Sequence, residues 1–402
     1  MHLSEKIGRA GVHVLSVCLL TVFHTLLGAN VSLADDARVG VPRKPLCSPE
    51  KLDELRSPAT ADQWQVIVDC SVSLSAGDVI EKEVYLEGEE ASQVEFKCNN
   101  ATLGNVGRAS RARGTHRLVI RTRHDDKDGT WRPPRDILVS GCRIEGTMRI
   151  EGMAGEPARL SSLQSGHTER AQSAAPRNIL VSNTRFVGSA KLFKLIVGVG
   201  VTDVTISDAI FEGDAVGVSV YLSDEAARIQ IRGSRFLAIA KRREQVAIDG
   251  AAQVTIENNV FTNVEMGGVF IYRNCGERGR VRVQAPMHNV IRNNIFANSG
   301  SRMPKRPTIW IGSRNLKRSE RHEQCILDDG FNLGSSLATG TAAQSERDEA
   351  RENQVLDNRF VGLDPAAMVR DDDLENIVLG NSRAPDGTEL AYPRPDRLSG
   401  DR

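Results

Sequence analysis

Val254-Thr-Ile-Glu-Asn-Asn-Val-Phe261 is one copy of a pattern that recurs along the middle of this chain. In each copy an alternating apolar run leads to Asn, Asp or Gly, and a phenylalanine stands three residues later. Five such copies end at Phe186, Phe211, Phe236, Phe261 and Phe296. Because the first four phenylalanines are 25 residues apart each time, the pattern predicts a solenoid, whose repeats stack on their neighbours.

Further short apolar runs follow the phenylalanines, such as Val269–Tyr272 after Phe261. Runs of this kind, rich in β-branched residues and bounded by Gly, Asn and Asp, predict β-strands. Helical periodicity is scarce, so we predict an all-β chain that winds into one parallel β-helix. Polar segments that interrupt the pattern predict long loop insertions: Arg121 to Arg135, Arg159 to Pro176, and Arg314 to Ala350.

Two columns of equivalent residues follow from this repeat. The phenylalanines are predicted to stack in the core. The residue three before each phenylalanine is predicted to form a turn with left-handed backbone, which Asn, Asp and Gly tolerate best. This second column contains Asn183, Asp208, Gly233, Asn258, Asn293 and Asp357.

The N-terminus has the features of a secretory signal peptide. Lys6 and Arg9 precede an apolar run from Val12 to Leu27, and small residues near Ala34 suit cleavage. The run is short for a membrane span. We therefore predict a signal peptide at residues 1–34, a lead-in or cap at 35–63, the β-helix at 64–383 and a polar tail at 384–402.

The predicted partners follow from export and charge. After signal cleavage the protein is expected in the periplasm or outside the cell, without membrane insertion. The 52 lysines and arginines balance 52 aspartates and glutamates, so no overall positive field favours nucleic acid. We predict a monomer that meets its partners through a local surface.

Six cysteines remain outside the signal segment: Cys47, Cys70, Cys98, Cys142, Cys275 and Cys325. An even number in an exported protein favours disulfides. Cys275 with Cys325 is the first predicted pair, because both flank the same side of the later coils. Cys70 with Cys98 and Cys98 with Cys142 are both compatible with stacked coils, and buried free thiols remain an alternative.

The repeats resemble those of the pectate-lyase-like superfamily of right-handed parallel β-helix proteins. The copies of Val/Ile-x-Ile-x-Asn-Asn-x-Phe that end at Phe261 and Phe296 carry the resemblance, with weaker copies elsewhere, over about Trp64 to Leu379. It implies a secreted polysaccharide-active protein. Members of the superfamily include polysaccharide lyases, polygalacturonase-like hydrolases and uronate epimerases, so the fold alone does not determine the chemistry.

No catalytic motif of the superfamily transfers to this chain. The Asp-Pro-His-Asp motif of alginate epimerases and the Asn-Thr-Asp strand of polygalacturonases are absent. The aspartate pairs Asp125-Asp126 and Asp328-Asp329 lie in insertions and not on a predicted strand. A site must therefore be built from the residues themselves.

The runs that follow the phenylalanines supply such a site when they are aligned. With Val218, Val246, Val269 and Ile309 aligned as inward residues, strand alternation places their neighbours outside. The outward columns are then Ser219, Ala247, Phe270 and Trp310, followed by Tyr221, Asp249, Tyr272 and Gly312. Aromatic rings can stack on a pyranose while polar groups orient its hydroxyls. Alternatively, Phe270 and Trp310 pack beneath the Arg314 to Ala350 insertion.

The surrounding residues suit β-elimination from an acidic glycan. This reaction needs a cation for the uronate carboxylate, a base for the neighbouring proton and an acid for the leaving oxygen. The predicted catalytic residues are Tyr272, Arg273, Asp249, Glu265 and Lys241. The predicted substrate-binding residues are Arg242, Phe270, Trp310, Arg314, Tyr221 and His288.

Within this set, Arg273 or Arg242 would hold the carboxylate, Tyr272 or Lys241 would transfer the proton, and the two acids would orient the groups. We therefore predict an exported lyase that binds an acidic polysaccharide. The alternatives are hydrolysis by an Asp249–Glu265 carboxylate pair, uronate epimerisation, and a non-catalytic role in glycan binding or cell-envelope assembly. No cofactor is predicted, although His124 to Gly129 resembles half of a calcium loop.

Overall fold

Three parallel sheets of ten strands each form the body of the described part of the molecule. The computed structural model describes residues 42–104, 116–153, 166–187, 193–215, 217–274, 282–298, 303–313, 350–388 and 390. Consecutive strands enter the first, second and third sheet in turn, and each strand pairs with its equivalent one coil later. The predicted all-β, right-handed parallel β-helix is confirmed.

The strands are short and regular. The first sheet contains Gln65–Ile67, Glu83–Glu87, His116–Arg121, Thr147–Glu151, Leu195–Val197, Val220–Leu222, Val246–Asp249, Val269–Tyr272, Ile309–Ile311 and Val369–Asp371. The second contains Val72–Ser73, Glu95–Lys97, Arg135–Ser140, Arg177–Ser182, Thr202–Ser207, Ala227–Arg232, Ala252–Glu257, Val290–Arg292, Gln354–Leu356 and Ile377–Leu379. The third contains Val79–Ile80, Thr102–Leu103, Arg143–Glu145, Arg185–Val187, Ile210–Phe211, Arg235–Phe236, Val260–Phe261, Ile295–Ala297, Arg359–Val361 and Ser382–Ala384.

The phenylalanine column is buried and stacked, as predicted. Consecutive ring centroids lie between 4.3 and 5.3 Å apart. The stack consists of Phe186, Phe211, Phe236, Phe261, Phe296 and Phe360. Aromatic pairs in such contact contribute about 0.5–1.5 kcal/mol beyond the area they bury, so the column ties successive coils together.

The turn column is also confirmed, and a buried asparagine column stands beside it. The predicted turn residues have φ between 48° at Asn183 and 60° at Gly233. The next position is occupied in later coils by Asn259, Asn294, Asn358 and Asn381. Each of the first three side-chain amides donates to the following asparagine's Oδ1 at 2.9–3.0 Å. No role was predicted from the sequence for this asparagine column, although the repeated Asn-Asn pairs at 258–259 and 293–294 mark both columns.

Two disulfides hold the N-terminal coils. Cys98 and Cys142 are bonded, with Cα atoms 4.8 Å apart, because they follow strands that pair directly. Cys47 of the lead-in is bonded to Cys70 at a Cα separation of 5.0 Å. The alternative Cys98–Cys142 pair is therefore confirmed, and the alternative Cys70–Cys98 pair is wrong. The predicted Cys275–Cys325 pair lies outside the described residues.

Three helices, one 3₁₀ turn and two small sheets complete the described secondary structure. The α-helices are Pro49–Arg56, His167–Ser173 and Pro365–Met368, and the 3₁₀ turn is Glu89–Ala91. Arg123–Asp125 and Thr130–Arg132 form an antiparallel hairpin, and Asp214–Ala215 pairs with Ile239–Ala240. Two predicted insertions thus contain the hairpin and the helix His167–Ser173, which we call the side helix.

The described chain from Arg43 onward belongs to one compact unit. None of the helices in the described ranges is long and apolar enough to span a membrane. The predicted signal peptide and most of the Arg314 to Ala350 insertion lie outside the described residues.

Candidate functional site on the outer face of the first sheet

The register of the first sheet corrects the predicted alignment by two residues. Val220, and not Val218, pairs with Val246. Tyr221 therefore stands in one outward column with Ala247, Phe270 and Trp310. Val218 precedes the strand and packs outside the main core, against the outward side chains. The assignment of Val218 as an inward residue was wrong because the strand begins later than the apolar run suggests.

Asp249 lies beside Tyr272, as expected, but in a buried network. The two residues are partners on adjacent strands, and their exposed fractions are 0% and 2%. The Asp249 carboxylate accepts from the Tyr221 hydroxyl, from Arg282 Nη2 at 3.2 Å and from the Asn274 backbone N–H at 2.8 Å. Its charge is therefore already neutralised and hydrogen-bonded by the protein.

Tyr272 is similarly committed to protein partners. Its hydroxyl accepts from Arg243 Nη2 at 2.7 Å and donates to Glu244 Oε1 at 3.2 Å. Burial, followed by the nearby Glu244 carboxylate, raises the pKa of Tyr272 well above its usual value. The phenol consequently keeps its proton at neutral pH.

Arg273 holds the segment that covers this network. The buried guanidinium donates through Nη2 to the carbonyl of Val283 at 3.1 Å and to the carbonyl of Arg282. These bonds fix the segment that carries Arg282 over Asp249. The observed role of Arg273 is thus to position the main chain, while the predicted clamping of a carboxylate remains a prediction.

Asp224 is a further buried acid that the sequence reasoning missed. Its Oδ2 accepts from the Val283 backbone N–H at 3.0 Å, while Oδ1 has no hydrogen-bond partner among the described residues. Burial, followed by the adjacent Glu225 charge, raises the pKa of Asp224 to about 7. The sequence carries little signal for it, because Asp224 lies two residues after its first-sheet strand, whereas Asp249 is the last residue of the next one.

Other predicted site residues form separate ion pairs. Lys241 Nζ lies 2.5 Å from Asp214, and Glu265 lies 2.6 Å from Lys305 Nζ. The structure therefore places the Asp249 and Glu265 carboxylates in different ion pairs. Arg242 is exposed, and Arg314 lies outside the described residues.

His288 occupies a left-handed corner. Its φ is 56°, and Nδ1 lies 3.1 Å from Glu352, itself at φ 56° in the equivalent corner of the next coil. This geometry explains the side chain by turn formation.

The aromatic pair at the C-terminal end packs within the protein. Phe270 is buried, and its ring meets the Trp310 ring edge-on at 5.5 Å. The Arg370 guanidinium lies over the Trp310 ring at 4.5 Å, and Trp310 Nε1 donates to Asp372 at 2.8 Å. Trp310 keeps partial exposure, but its polar edge is occupied.

The N-terminal half of the same face carries a more accessible group, which we call the N-terminal cluster: Tyr85, His116, Arg121 and Arg149. These residues belong to three adjacent first-sheet strands. The Arg121 guanidinium lies 4.4 Å from the Tyr85 ring centroid, and Arg149 Nη1 donates to His116 Nε2 at 3.1 Å. The arginine side chains are 37% and 32% exposed and pair with Glu87 and Glu151, so part of each guanidinium is open to solvent.

The groups of the N-terminal cluster differ in protonation and charge at neutral pH. Burial, and then the nearby Glu83, raises the pKa of Tyr85 to about 12; its hydroxyl donates to Glu83 Oε2 at 2.9 Å. Burial, and then the positive charge of Arg149, lowers the pKa of His116. At neutral pH the cluster therefore presents a protonated phenol, a neutral imidazole and two arginines.

The predicted half-loop for calcium forms the turn of the hairpin. Asp128 accepts from the Thr130 backbone N–H at 2.9 Å and from Arg132 at 2.9 Å, and His124 Nδ1 lies 2.8 Å from Asp126. Across the described ranges, no three potential metal-ligating side chains stand together. The aspartates of this turn serve local hydrogen bonds.

Comparisons with known proteins concern the fold. No protein-family model matches the chain, and no curated protein matches it. A mutant tailspike protein of E. coli bacteriophage HK620, in complex with a pentasaccharide, is 11% identical, with a TM-score of 0.43. The match covers 78% of this chain and 51% of the tailspike, so the chain spans about half of that protein.

Two further solved structures are similar at the same level. An alginate lyase from Paenibacillus sp. str. FPU-7 is 15% identical over 76% of this chain and 89% of its own, with a TM-score of 0.28. PfbA, a surface adhesin of Streptococcus pneumoniae, is 12% identical over 78% of this chain and 81% of its own, with a TM-score of 0.37. These proteins are right-handed parallel β-helices.

Proposed function

We propose that the protein is an exported glycan-active lyase that binds an acidic polysaccharide on the outer face of its first sheet and cleaves it by β-elimination. The observation that carries this proposal is the N-terminal cluster, in which two partly exposed arginines stand with a neutral imidazole and a protonated phenol that is 7% exposed. Two disulfides support an oxidising, extracytoplasmic location, either periplasmic or secreted.

Each group of the cluster has a role in this chemistry. Arg121 and Arg149 would neutralise the uronate carboxylate and so acidify the proton on the adjacent ring carbon. His116 would accept that proton once the substrate carboxylate draws Arg149 away from Nε2. The carbon–hydrogen electron pair then forms the ring double bond, and the bond to the glycosidic oxygen breaks.

Tyr85 would complete the reaction by protonating the leaving oxygen. The Arg121 guanidinium above the ring favours the phenolate that this transfer leaves, because its positive charge acts against the pKa rise. The imidazolium of His116 can then return its proton to Tyr85. The elimination is thereby balanced without a further reactant.

The test is a screen of purified protein against oligouronates, with the ultraviolet absorbance of the unsaturated product as the readout. Tyr85→Phe and His116→Gln should each lower kcat by about 10²-fold or more, the usual size of a proton-transfer contribution. Arg359→Gln, which removes an exposed arginine on the third sheet, is the matched control. Full activity of Tyr85→Phe would contradict the assigned roles. Tyr272→Phe and Arg273→Ala test, in the same assay, two of the residues predicted from the sequence.

A non-catalytic glycan-binding protein is the second candidate. The burial of Asp249 and Tyr272 and their hydrogen bonds within the protein favour it, because these groups stabilise the covered face and are not free for chemistry. Such a protein would retard acidic glycan in affinity electrophoresis without forming product. A hydrolase would release reducing ends without the new absorbance.

A further inference from the structure

A cleft lies at the corner between the side helix and the second sheet. It consists of two adjoining cavities of about 550 and 320 Å³, which share Ser173 and Arg177 as lining residues. Both volumes are within the range of about 300–1,000 Å³ that is usual for small-ligand sites. The shared residues make Arg177 the centre of the combined cleft.

The Arg177 guanidinium is available for a ligand. Within the described residues it makes no hydrogen bond or ion pair. Hydrogen bonds from Arg228 and Thr202 lower the pKa of nearby Asp203, and the charges of Arg228 and Arg177 lower it further. The Asp203 carboxylate is held by Arg228, whose Nε and Nη2 donate to its two oxygens at 2.7 and 3.0 Å. An arginine that lines a cavity without such a partner suits an anionic group.

Two other arginines of the cleft already have acidic partners. Arg132 donates to Asp128 at 2.9 Å, and Arg135 lies 4.0 Å from Glu89. Glu169 of the side helix also lines the larger cavity, so the cleft carries charges of both signs. A ligand with one carboxylate per unit fits this arrangement better than a polyanion of high charge density.

Trp131 supplies an apolar surface in the smaller cavity. Its indole is half-buried, and it rests on the His124 ring at a centroid distance of 4.5 Å. A tryptophan fixed in this way can lie against the apolar face of a sugar ring at little entropic cost.

The wall opposite the sheet is rigidly attached. His167 Nδ1 of the side helix lies 2.6 Å from Glu225 Oε1, and both side chains are buried. Gln172 Nε2 of the same helix donates to the Glu225 carbonyl at 2.9 Å. The cleft is therefore formed in advance of ligand binding, which lowers the cost of ordering it.

We propose that this cleft is a second saccharide-binding site, which takes a uronate unit with its carboxylate on Arg177 and its ring against Trp131. The choice of an acidic sugar rests on the proposed function. The site would hold a polysaccharide chain at the corner of the β-helix while the first-sheet face acts on another part of it.

Isothermal titration of the full chain with trigalacturonate, triguluronate and trimannuronate tests the proposal. At least one probe should bind, and Arg177→Gln should weaken it by about tenfold, which corresponds to about 1.4 kcal/mol. Arg177→Lys should retain part of the affinity, Trp131→Ala should reduce it, and Arg359→Gln should leave it unchanged. Thermal unfolding of each variant checks that the fold is intact.

Two outcomes would overturn the second site: no binding of any probe by the wild-type chain, or equal affinity in the wild-type chain and Arg177→Gln. Its failure is distinct from failure of the proposed function, because product formation depends on Tyr85 and His116. Uronate binding that depends on Arg177, without any product, would retain the cleft and reject the lyase. Product formation with no Arg177 dependence in binding would do the reverse.

Discussion

The two halves of the outer face of the first sheet carry similar residues in different surroundings. In the N-terminal half, Tyr85 lies under Arg121, whose side chain is 37% exposed. In the C-terminal half, Tyr272 is bonded to Arg243 and Glu244 in a fully buried position. Strand alternation places both tyrosines outside the core, where Tyr85 is 7% and Tyr272 2% exposed. The halves differ in their charged groups, because the segment that crosses the C-terminal half buries its own Arg282, while Arg121 stays partly exposed.

The crossing segment in the C-terminal half is fastened by charged groups. Arg273 binds its carbonyls, Asp224 accepts from the Val283 N–H, and Arg282 meets the Asp249 carboxylate. These groups resemble a catalytic set in composition. Their partners show a structural use, because Arg282 pairs with a buried carboxylate while Arg273 and Asp224 bond backbone groups of the crossing segment.

The largest expected effect is the loss of stability in Asp249→Ala. Removing the carboxylate leaves Arg282 buried without its ion-pair partner, which should lower the free energy of unfolding by about 3–5 kcal/mol. Equilibrium denaturation in urea measures the change. The matched control is Asp214→Ala, which breaks the exposed pair with Lys241 and should change stability by less than about 1 kcal/mol.

Equal stability losses in the two variants would break the comparison between a buried and an exposed ion pair. A stable Asp249→Ala protein that loses product formation would restore Asp249 as a catalytic candidate.

The sequence predicts the frame well because the frame is periodic. The column of phenylalanines and the left-handed turns recur at fixed spacing, so each copy supports the others. The cover of the first sheet is not periodic. Arg282 contacts Asp249, which is 33 positions away in sequence, and no local pattern predicts such a contact. The two-residue slip at Val218 has the same origin, since an apolar residue that packs outside the core looks like one that points inward.

A smaller effect is expected for the pH dependence of Asp224. The folded-state pKa is raised from 3.8 to about 7, so between these values the folded chain binds more protons than the unfolded chain. Stability should therefore fall as the pH rises through this window, and the Asp224 contribution should be constant above it. Asp224→Asn cannot ionise and can still accept from the Val283 N–H.

Thermal unfolding of the Asp224→Asn variant between about pH 5 and pH 8 provides the measurement. Relative to the wild-type chain, Asp224→Asn should gain stability as the pH rises across this range. Asp214→Asn is the exposed control and should run parallel to the wild-type chain. Parallel curves for Asp224→Asn would show that Asp224 is ionised in the fold at neutral pH, and the buried half would then carry more charge than we infer.

The smallest expected effect on stability belongs to Arg149→Gln in the exposed half. Its ion pair with Glu151 is partly solvated, so stability should change by less than about 1 kcal/mol. Burial, and then the positive charge of Arg149, lowers the pKa of His116. The same substitution removes that charge. The His116 pKa should therefore rise toward its ordinary value, which an NMR titration of the imidazole detects without any substrate.

If His116 is the base, the acidic limb of the kcat/KM profile should move to higher pH by the same amount. An unchanged titration would show that Arg149 does not tune His116. A shifted titration with an unchanged acidic limb would remove His116 as the base, leaving the arginines and Tyr85 as a binding surface only.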